Sequence, residues 1–565
     1  MLRKKIHNHL LECAEALKIK VNPHFSLEIP NNVNHGDYST NIAMLSAKLN
    51  KKKPRVLADK IAKYLNKNKD YKSVTVAGPG FINFKLTHRI FYEGLQFINK
   101  KKKSFGMSNY GEKQKVLIEF VSANPTGPLN IVSARAAAYG DTLSKVLDFV
   151  GFNSFKEFYV NDFGNQVDIL AESLEIRYRE LHGDVVIEFP PEAYHGEYLI
   201  DLAVQLNTIE GTKLLHISEK DRLERMKNFA LEELHNMQVA SLEKFGVIFD
   251  NWMSEKKLRK EGAIEETLSY LAEADCTFEK DDAVWFYSSR FGDEKDRVLM
   301  KADGNTTYFV PDIAYHITKY QRGFKYLIDV LGPDHHGYVP RLRSALTALK
   351  YDNSKLEVVY LQHINLFNEG EIVKMSKRAG KIVTMDELID DVGKDAARFF
   401  FIDRKPSAHL NFDLELARKK SSENPVFYIQ YAHARINSVL KKARKAKISL
   451  KDYDVKDLSR LSKNSEILII KKMLEFPTLL ETIADSREPH HLATYAFELA
   501  GMFHKYYAKY HIINPRFKTM SQSRIYLIKS VKYALANCLH LMGISAPDKM
   551  VSLKPEDNEK DSANI

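Results

Sequence analysis

At 565 residues the chain is longer than one hydrophobic core can serve, so three or four domains are expected. Its 44% hydrophobic and 28% charged content are those of a soluble globular protein, and no apolar run approaches the length that spans a bilayer. The net charge of +11 is modest for this length. Basic clusters at 51–53, 100–103 and 441–447 suit a polyanion, but charge runs more often mark solvated linkers, so charge alone does not establish nucleic-acid binding.

Met1-Leu2-Arg3-Lys4-Lys5 leads into an amphipathic helix through Leu10, Leu11, Ala14 and Leu17, not into a secretory h-region. Residues 74–76 and 81–84 read as two strands around the turn Gly78-Pro79-Gly80, which makes 1–105 a first α+β unit. The run Lys100-Lys101-Lys102-Lys103-Ser104-Phe105-Gly106 reads as a linker. From Val116 the pattern changes. Val116-Leu117-Ile118-Glu119-Phe120-Val121 is a buried parallel strand by its β-branched, apolar run. A helix over 134–150, a strand at 155–160 and a helix over 164–181 follow, and further strands are expected at 306–310, 326–331 and 356–361. This alternation predicts a doubly wound Rossmann-type α/β unit over 112–390, interrupted by a charged helical insertion at about 185–260. After about residue 390 the periodicity is helical: a connecting segment over 391–424, then an all-α bundle over 425–552 with helices at 426–442, 492–507 and 525–541. The polar tail 553–565 reads as disordered. Cys13, Cys276 and Cys538 are far apart and odd in number, which gives neither a disulfide framework nor a zinc site and points to the reducing cytoplasm.

Two loops carry chemistry. Lys374-Met375-Ser376-Lys377-Arg378, followed by Ala379-Gly380, lies between a predicted strand and helix. Two cations there suit a triphosphate whose charge moves outward as pyrophosphate leaves. Ser122-Ala123-Asn124-Pro125-Thr126-Gly127-Pro128-Leu129, continuing to Ala134-Arg135, follows the first parallel strand and opens a helix whose N-terminus favours phosphate. Together the two segments resemble the signature pair of class I aminoacyl-tRNA synthetases, the arginyl family in particular.

That resemblance spans nearly the whole chain and implies an arginine–tRNA ligase. It would activate L-arginine with ATP and Mg²⁺ and transfer it to the terminal ribose of tRNA(Arg), with activation dependent on bound tRNA. The family's first loop reads SANPTGPLH(I/V)GHAR. Here its His-X-Gly-His core is Asn130-Ile131-Val132-Ser133, so both imidazole donors and the glycine are replaced. The alternative this raises is a catalytically weakened paralogue that binds tRNA or arginine in a regulatory role.

By the same resemblance, Lys374, Ser376, Lys377, Asn130 and Ser133 are catalytic. ATP is held by Asn130, Ile131, Val132, Ser133, Gly332, Asp334, His335, Met375 and Lys377. Arginine meets Glu119, Asn124, Tyr308, Asp312 and His335, since a guanidinium needs carboxylates in fork geometry and an aromatic wall. Such a site discriminates against substrates lacking the guanidinium, so no editing domain is needed. Asn161-Asp162-Phe163-Gly164-Asn165-Gln166 and Gly332-Pro333-Asp334-His335-His336-Gly337-Tyr338 match further family loops. Asp37, Asn41 and Phe81 in the first unit, and Tyr428, Tyr431 and Arg435 in the bundle, are the expected tRNA contacts. No resident metal is expected, because adjacent histidines such as His335 and His336 rarely converge on one ion. A monomer and no membrane contact complete the expectations.

Overall fold

The computed structural model describes residues 2–30, 32, 35–183, 189–373, 383–448 and 453–550. Lys374, Met375, Ser376, Lys377, Arg378 and the tail 553–565 lie outside the described residues.

Five parallel strands form the central sheet, in the order Leu356–Tyr360, Tyr326–Leu331, Lys115–Glu119, Asn153–Val160, Asn251–Ser254. Lys115–Glu119 comes first in the chain and lies in the middle, so the winding reverses beside it, and the carboxyl ends of Lys115–Glu119 and Tyr326–Leu331 border the switch-point crevice. Val116 and Ile118 pack into one core and Leu117 into another on the opposite face, because successive side chains of a strand alternate. The helix Ile131–Phe149 crosses the end of this strand at Gly140, where any Cβ would come within 2.3 Å of the Phe120 ring. Glycine there brings the helix, and the loop that opens it, close over the sheet.

Three expectations about elements need correction. Residues 306–310 form no strand. Thr306 only bridges to Met300, and the helix Phe309–Gln321 has already begun. Pro311 in its first turn forfeits no intrahelical bond. The insertion ends sooner than residue 260: the helix Glu219–Lys244 returns to Asn251–Ser254, an edge strand of the main sheet, and a separate antiparallel sheet follows, made of Thr277–Lys280, Ala283–Phe286 and Arg297–Met300. The run 100–106 is no loose tether. The helix His88–Lys101 extends into it, Phe105 is fully buried against Phe97 and Phe476, and Asn537 Nδ2 donates to the carbonyls of Lys102 and Phe105 at 3.0 and 2.9 Å.

The N-terminal sheet has the order Leu27–Glu28, Tyr38–Thr40, Phe81–Leu86, Tyr71–Ala77, with the last two joined as an antiparallel hairpin. The C-terminal bundle comprises Pro425–Lys445, Asn464–Ser486, His490–Lys509 and Lys518–Leu541, one long helix more than the periodicity indicated. The segment after residue 390 also contributes a strand, Leu410–Asp413, which pairs in parallel with Ile364–Asn368.

Candidate active site

The strand Lys115–Glu119 ends in strained backbone. Val121 and Ser122 have φ of 72° and 41°, a region that a β-branched residue such as valine rarely enters. Such strain persists where neighbours enforce it. Ser122 Oγ donates to Glu119 Oε1 at 2.9 Å and accepts the Tyr159 N–H at 3.1 Å, tying the strained turn to two adjacent strands.

Glu119 is buried and its second oxygen accepts from Lys319 Nζ at 2.5 Å; Lys319 also reaches Asp329 at 2.8 Å. Burial opposes the charge on Lys319, but Asp329 and Glu119 outweigh it and raise its pKa above the usual range. The Glu119 carboxylate is thus held by Lys319 on one oxygen and by Ser122 on the other, at the strand end where the resemblance expects it to meet substrate. Asn124 is half-buried on the loop that follows. Its Nδ2 donates to Gln166 Oε1 at 2.5 Å, which joins the first loop to the 161–166 turn.

Asn130 is the N-cap of the helix Ile131–Phe149, and its Oδ1 accepts the N–H groups of Val132 and Ser133 at 2.9 and 3.1 Å. Two amides that a phosphate would seek are thus already satisfied by a neutral oxygen, while Asn130 Nδ2 remains as the donor. Ile131 is 1% exposed and contributes to the core, so only its backbone can meet a nucleotide. Ser133 is also buried, with its hydroxyl 3.4 Å from Asn130 Oδ1 rather than turned outward. Val132, by contrast, is 53% exposed. Asn130 makes an antiparallel bridge to Thr384, and Met385 N–H donates to the Leu129 carbonyl at 2.8 Å. The chain leaving the lysine segment therefore returns directly beside the first loop. Arg135 is no substrate contact: fully buried, it donates to the carbonyls of Gln362, Lys405 and Ala408.

A second group of acids faces the crevice from the other side. Asp312, in the first turn of the helix Phe309–Gln321, accepts from the Tyr338 hydroxyl. Burial lifts its pKa from 3.8 to about 6; Tyr338 and His316 oppose the rise, and the charges of Glu119 and Glu255 add to it. Glu255, which the sequence reading missed, is 3% exposed at the start of the helix Glu255–Lys260. Arg259 holds it at 2.8 Å, and the Asn161 amide, turned to satisfy its neighbours, donates to it at 2.9 Å. Asp162 accepts from Ser254 Oγ and the Lys256 N–H at 2.6 and 2.8 Å, which fixes that helix start. Glu255 carries no motif, and 251–254 reads from sequence as part of an insertion. Its signal was an acid directly after a short strand that abuts the Asn161-Asp162 turn.

Tyr308 is 63% exposed at the helix start, with its hydroxyl 4.0 Å from where a Cβ on Gly164 would lie. Gly164 has φ +98°, a left-handed conformation that glycine adopts without strain. The Tyr159 hydroxyl is buried beside the Glu255 carboxylate, with Asp312 also close, and burial with those two charges raises its pKa. Gly332, Asp334 and His335 follow the strand Tyr326–Leu331; Asp334 and His335 are exposed, 3.6 Å apart, and His336 stacks on Tyr360 at 3.7 Å.

The tRNA residues divide. Asp37 is interior, accepting the Leu86 N–H at 2.7 Å and an ion pair from Lys471 of the bundle, while the half-buried Asn41 accepts the Ser26 N–H at 2.7 Å through Oδ1. Phe81 is 41% exposed at the hairpin tip. In the bundle, Arg435 lies over Tyr431 and Tyr507 at 4.5 and 5.2 Å and donates to the Tyr431 hydroxyl at 3.1 Å, and Tyr428 packs on His504 at 4.5 Å. Burial, and then the Arg435 charge, lower the His504 pKa to about 4, so this aromatic cluster is uncharged at His504 near neutral pH.

Gln238, on the helix Glu219–Lys244, clamps the first loop: its Nε2 donates to the Asn124 and Gly127 carbonyls at 3.1 and 3.0 Å, while its buried Oε1 has no partner. Gln238→Leu is expected to raise KM for arginine or ATP about tenfold, since two bonds of about 1 kcal/mol each position the loop. Thermal stability should change little because an unpaired buried oxygen is removed at the same time. Steady-state kinetics beside a melting curve read both.

Comparison with known proteins bears on the whole chain. The family model described as tRNA synthetases class I (R), catalytic domain, matches residues 95–439; the arginyl tRNA synthetase N terminal domain matches 1–86, and the DALR anticodon binding domain matches 429–550. The chain is 44% identical over 532 residues to an arginine–tRNA ligase of Heliobacterium modesticaldum, covering 94% of each, and 42% identical over 550 residues to that of Shouchella clausii, covering 97% of this chain and 98% of the relative. The fold is similar to that of Thermus thermophilus arginyl-tRNA synthetase, with a TM-score of 0.73 at 21% identity over 97% of this chain and 100% of that one.

Proposed function

The chain belongs to the arginyl-tRNA synthetases of class I and is an arginine–tRNA ligase, and from that premise we propose how its own residues carry the reaction. The arginine carboxylate attacks the α-phosphorus of ATP, pyrophosphate leaves, and a terminal ribose hydroxyl of tRNA(Arg) then attacks the aminoacyl carbonyl to release AMP. The observation that carries this reading is the acid group at the switch-point crevice: Asp312, braced by Tyr338, with Glu255 nearby. A carboxylate held at a pKa of about 6 in a crevice is poised for a cation, and a guanidinium offers both charge and paired donors. Tyr308 and the Tyr159 hydroxyl beside Glu255 supply a wall and a polar floor, and Asn124 with Gln166 meets the amino-acid end.

Asn130 Nδ2 and the helix N-terminus receive the triphosphate, with Gly332, Asp334 and His335 toward the nucleoside. Lys374, Met375, Ser376 and Lys377 face the departing pyrophosphate in this reading, supported by the family resemblance of their segment and by the return of the chain at Thr384 beside Asn130. Mg²⁺ arrives with ATP as part of the substrate. Phe81, and the half-exposed Tyr428, Tyr431 and Arg435, present rings and a guanidinium on which unstacked tRNA bases can stack. We read the chain as acting as a monomer. No described helix is long and apolar enough to cross a membrane. The three cysteines are unpaired, which supports a reducing, cytoplasmic location.

Arginine-dependent exchange of pyrophosphate into ATP, measured with and without tRNA(Arg), is the direct test. Exchange that requires tRNA is the expected result. Its absence under both conditions would leave only a binding role for the crevice.

A further inference from the structure

The corner between the helices Asn464–Ser486 and His490–Lys509 gathers three potential metal ligands outside the crevice. Glu488, His490 and His491 each present one ligand atom, a carboxylate oxygen or a ring nitrogen, and these atoms all lie within 4.8 Å of one another. Glu488 Oε2 is 3.2 Å from His491 Nε2, and the two imidazole rings are 4.1 Å apart. Of the two ring nitrogens of His490, Nδ1 is buried and has no hydrogen-bond partner. A buried imidazole nitrogen in that state is a donor atom awaiting a proton or an ion.

We propose that Glu488, His490 and His491 form a binding site for a borderline divalent transition ion, Zn²⁺ in the first instance. Two imidazoles and one carboxylate are a donor set for such ions rather than for Mg²⁺ or Ca²⁺, which take oxygen. A tetrahedral ion needs donors about 2.0–2.1 Å from its centre, so the three side chains would draw together around it, with water at the fourth position. Adjacent residues seldom converge on one ion, but here the chain is turning a corner as it enters a helix, and both rings are already beside the same carboxylate.

The corner is also a junction. The preceding residue, Arg487, pairs with Glu357 of the edge strand at 2.7 Å, and its carbonyl accepts from the Tyr139 hydroxyl at 2.6 Å on the helix Ile131–Phe149. Lys405 Nζ contacts Glu488 Oε1 at 2.8 Å, and the Lys405 carbonyl accepts from Arg135. A bound ion therefore stiffens the contact between bundle and catalytic unit. Lys405 competes with it for the carboxylate charge.

The test uses the full chain, cleared of metal with a chelator and titrated with Co²⁺ by visible absorption, then with Zn²⁺ by calorimetry. One equivalent of saturable binding is expected. Loss of a ligand should weaken it at least about tenfold, the lower end of what losing even an outer partner does, in both Glu488→Gln and the double variant His490→Gln/His491→Gln. Lys405→Met should tighten it. The site is overturned by the absence of saturable binding, by unchanged binding in Glu488→Gln, or by binding lost instead in His335→Gln/His336→Gln. Glu488→Gln conserves volume and keeps the question decidable if the double variant fails to fold.

Discussion

Asp312→Asn is expected to lower kcat/KM for arginine by about 10²–10³-fold while making the free protein more resistant to heat. The two effects share one cause. In the free protein the carboxylate is held at a pKa of about 6 against an ordinary 3.8, chiefly by burial, with the charges of Glu119 and Glu255 adding to it. A raised folded-state pKa means that ionised Asp312 works against folding, fully so above pH 6 and progressively less as the pH falls toward 4. A shift of about two units has a ceiling of about 3 kcal/mol, and the partial exposure of Asp312 reduces that to about 1 kcal/mol. Asparagine removes the charge and still accepts the Tyr338 hydroxyl, so its stabilisation should appear at pH 7.5 and fade below pH 6. Removing one partner of a buried, hydrogen-bonded charge pair costs about 2–5 kcal/mol of binding, which sets the activity loss. In the unsubstituted protein the same protonation should weaken arginine binding as the pH falls through 6. Melting curves at pH 7.5 and 5, together with arginine titrations at both, decide the matter. Weak binding without a gain in stability would mean that Asp312 is an ordinary structural acid.

Most of the catalytic fold could be read from the chain because its strands are unambiguous: Val116-Leu117-Ile118 is buried on both faces and needs no tertiary information to look so. The misread elements are those where a neighbour decides. Thr306-Thr307-Tyr308-Phe309-Val310 has the composition of a strand, but Thr307 is held by Leu299 and Val298, and the chain turns into a helix at Phe309. Asn251-Trp252-Met253-Ser254 lacks a β-branched run and becomes a strand by pairing with 157–160, which hid Glu255. At the site, motif matching picks out Asp312, Tyr308, Asn124 and Asn130 as candidates but cannot tell an engaged polar group from a free one. Glu119 and Asp37 carry family-like motifs, yet each has both carboxylate oxygens engaged inside the protein. That engagement depends in part on Lys319 and Lys471, residues remote in sequence.

The combined change Asn130→His, Val132→Gly and Ser133→His, which rebuilds the family's His-X-Gly-His core, is expected to raise the single-turnover rate of adenylate formation by about 10²-fold. The sequence makes this a question of lost donors; the cap geometry makes it one of competition as well. Asn130 Oδ1 holds the Val132 and Ser133 amides at 2.9 and 3.1 Å, so phosphate must either displace that oxygen or rely on Nδ2 alone. Displacing it forfeits a cap worth about 1 kcal/mol. A single preorganised donor regained in the transition state returns about 2.7–4 kcal/mol, so the balance favours histidine even after the cap is lost. The substitutions are not equivalent. Val132 is largely exposed, and glycine there costs up to about 1 kcal/mol of helix propensity without disturbing the core. Ser133 is 8% exposed, so an imidazole at that position must turn out of the helix or strain its surroundings by about 1–3 kcal/mol. Asn130→His with Val132→Gly should therefore retain much of the gain at lower cost in stability, and rapid-quench measurement of both variants, with tRNA(Arg) bound, separates the contributions. A rate that does not rise in either would mean that Asn130 Nδ2 and the lysine segment already supply the stabilisation that imidazoles provide in relatives, and that the replaced core is a working alternative rather than a defect.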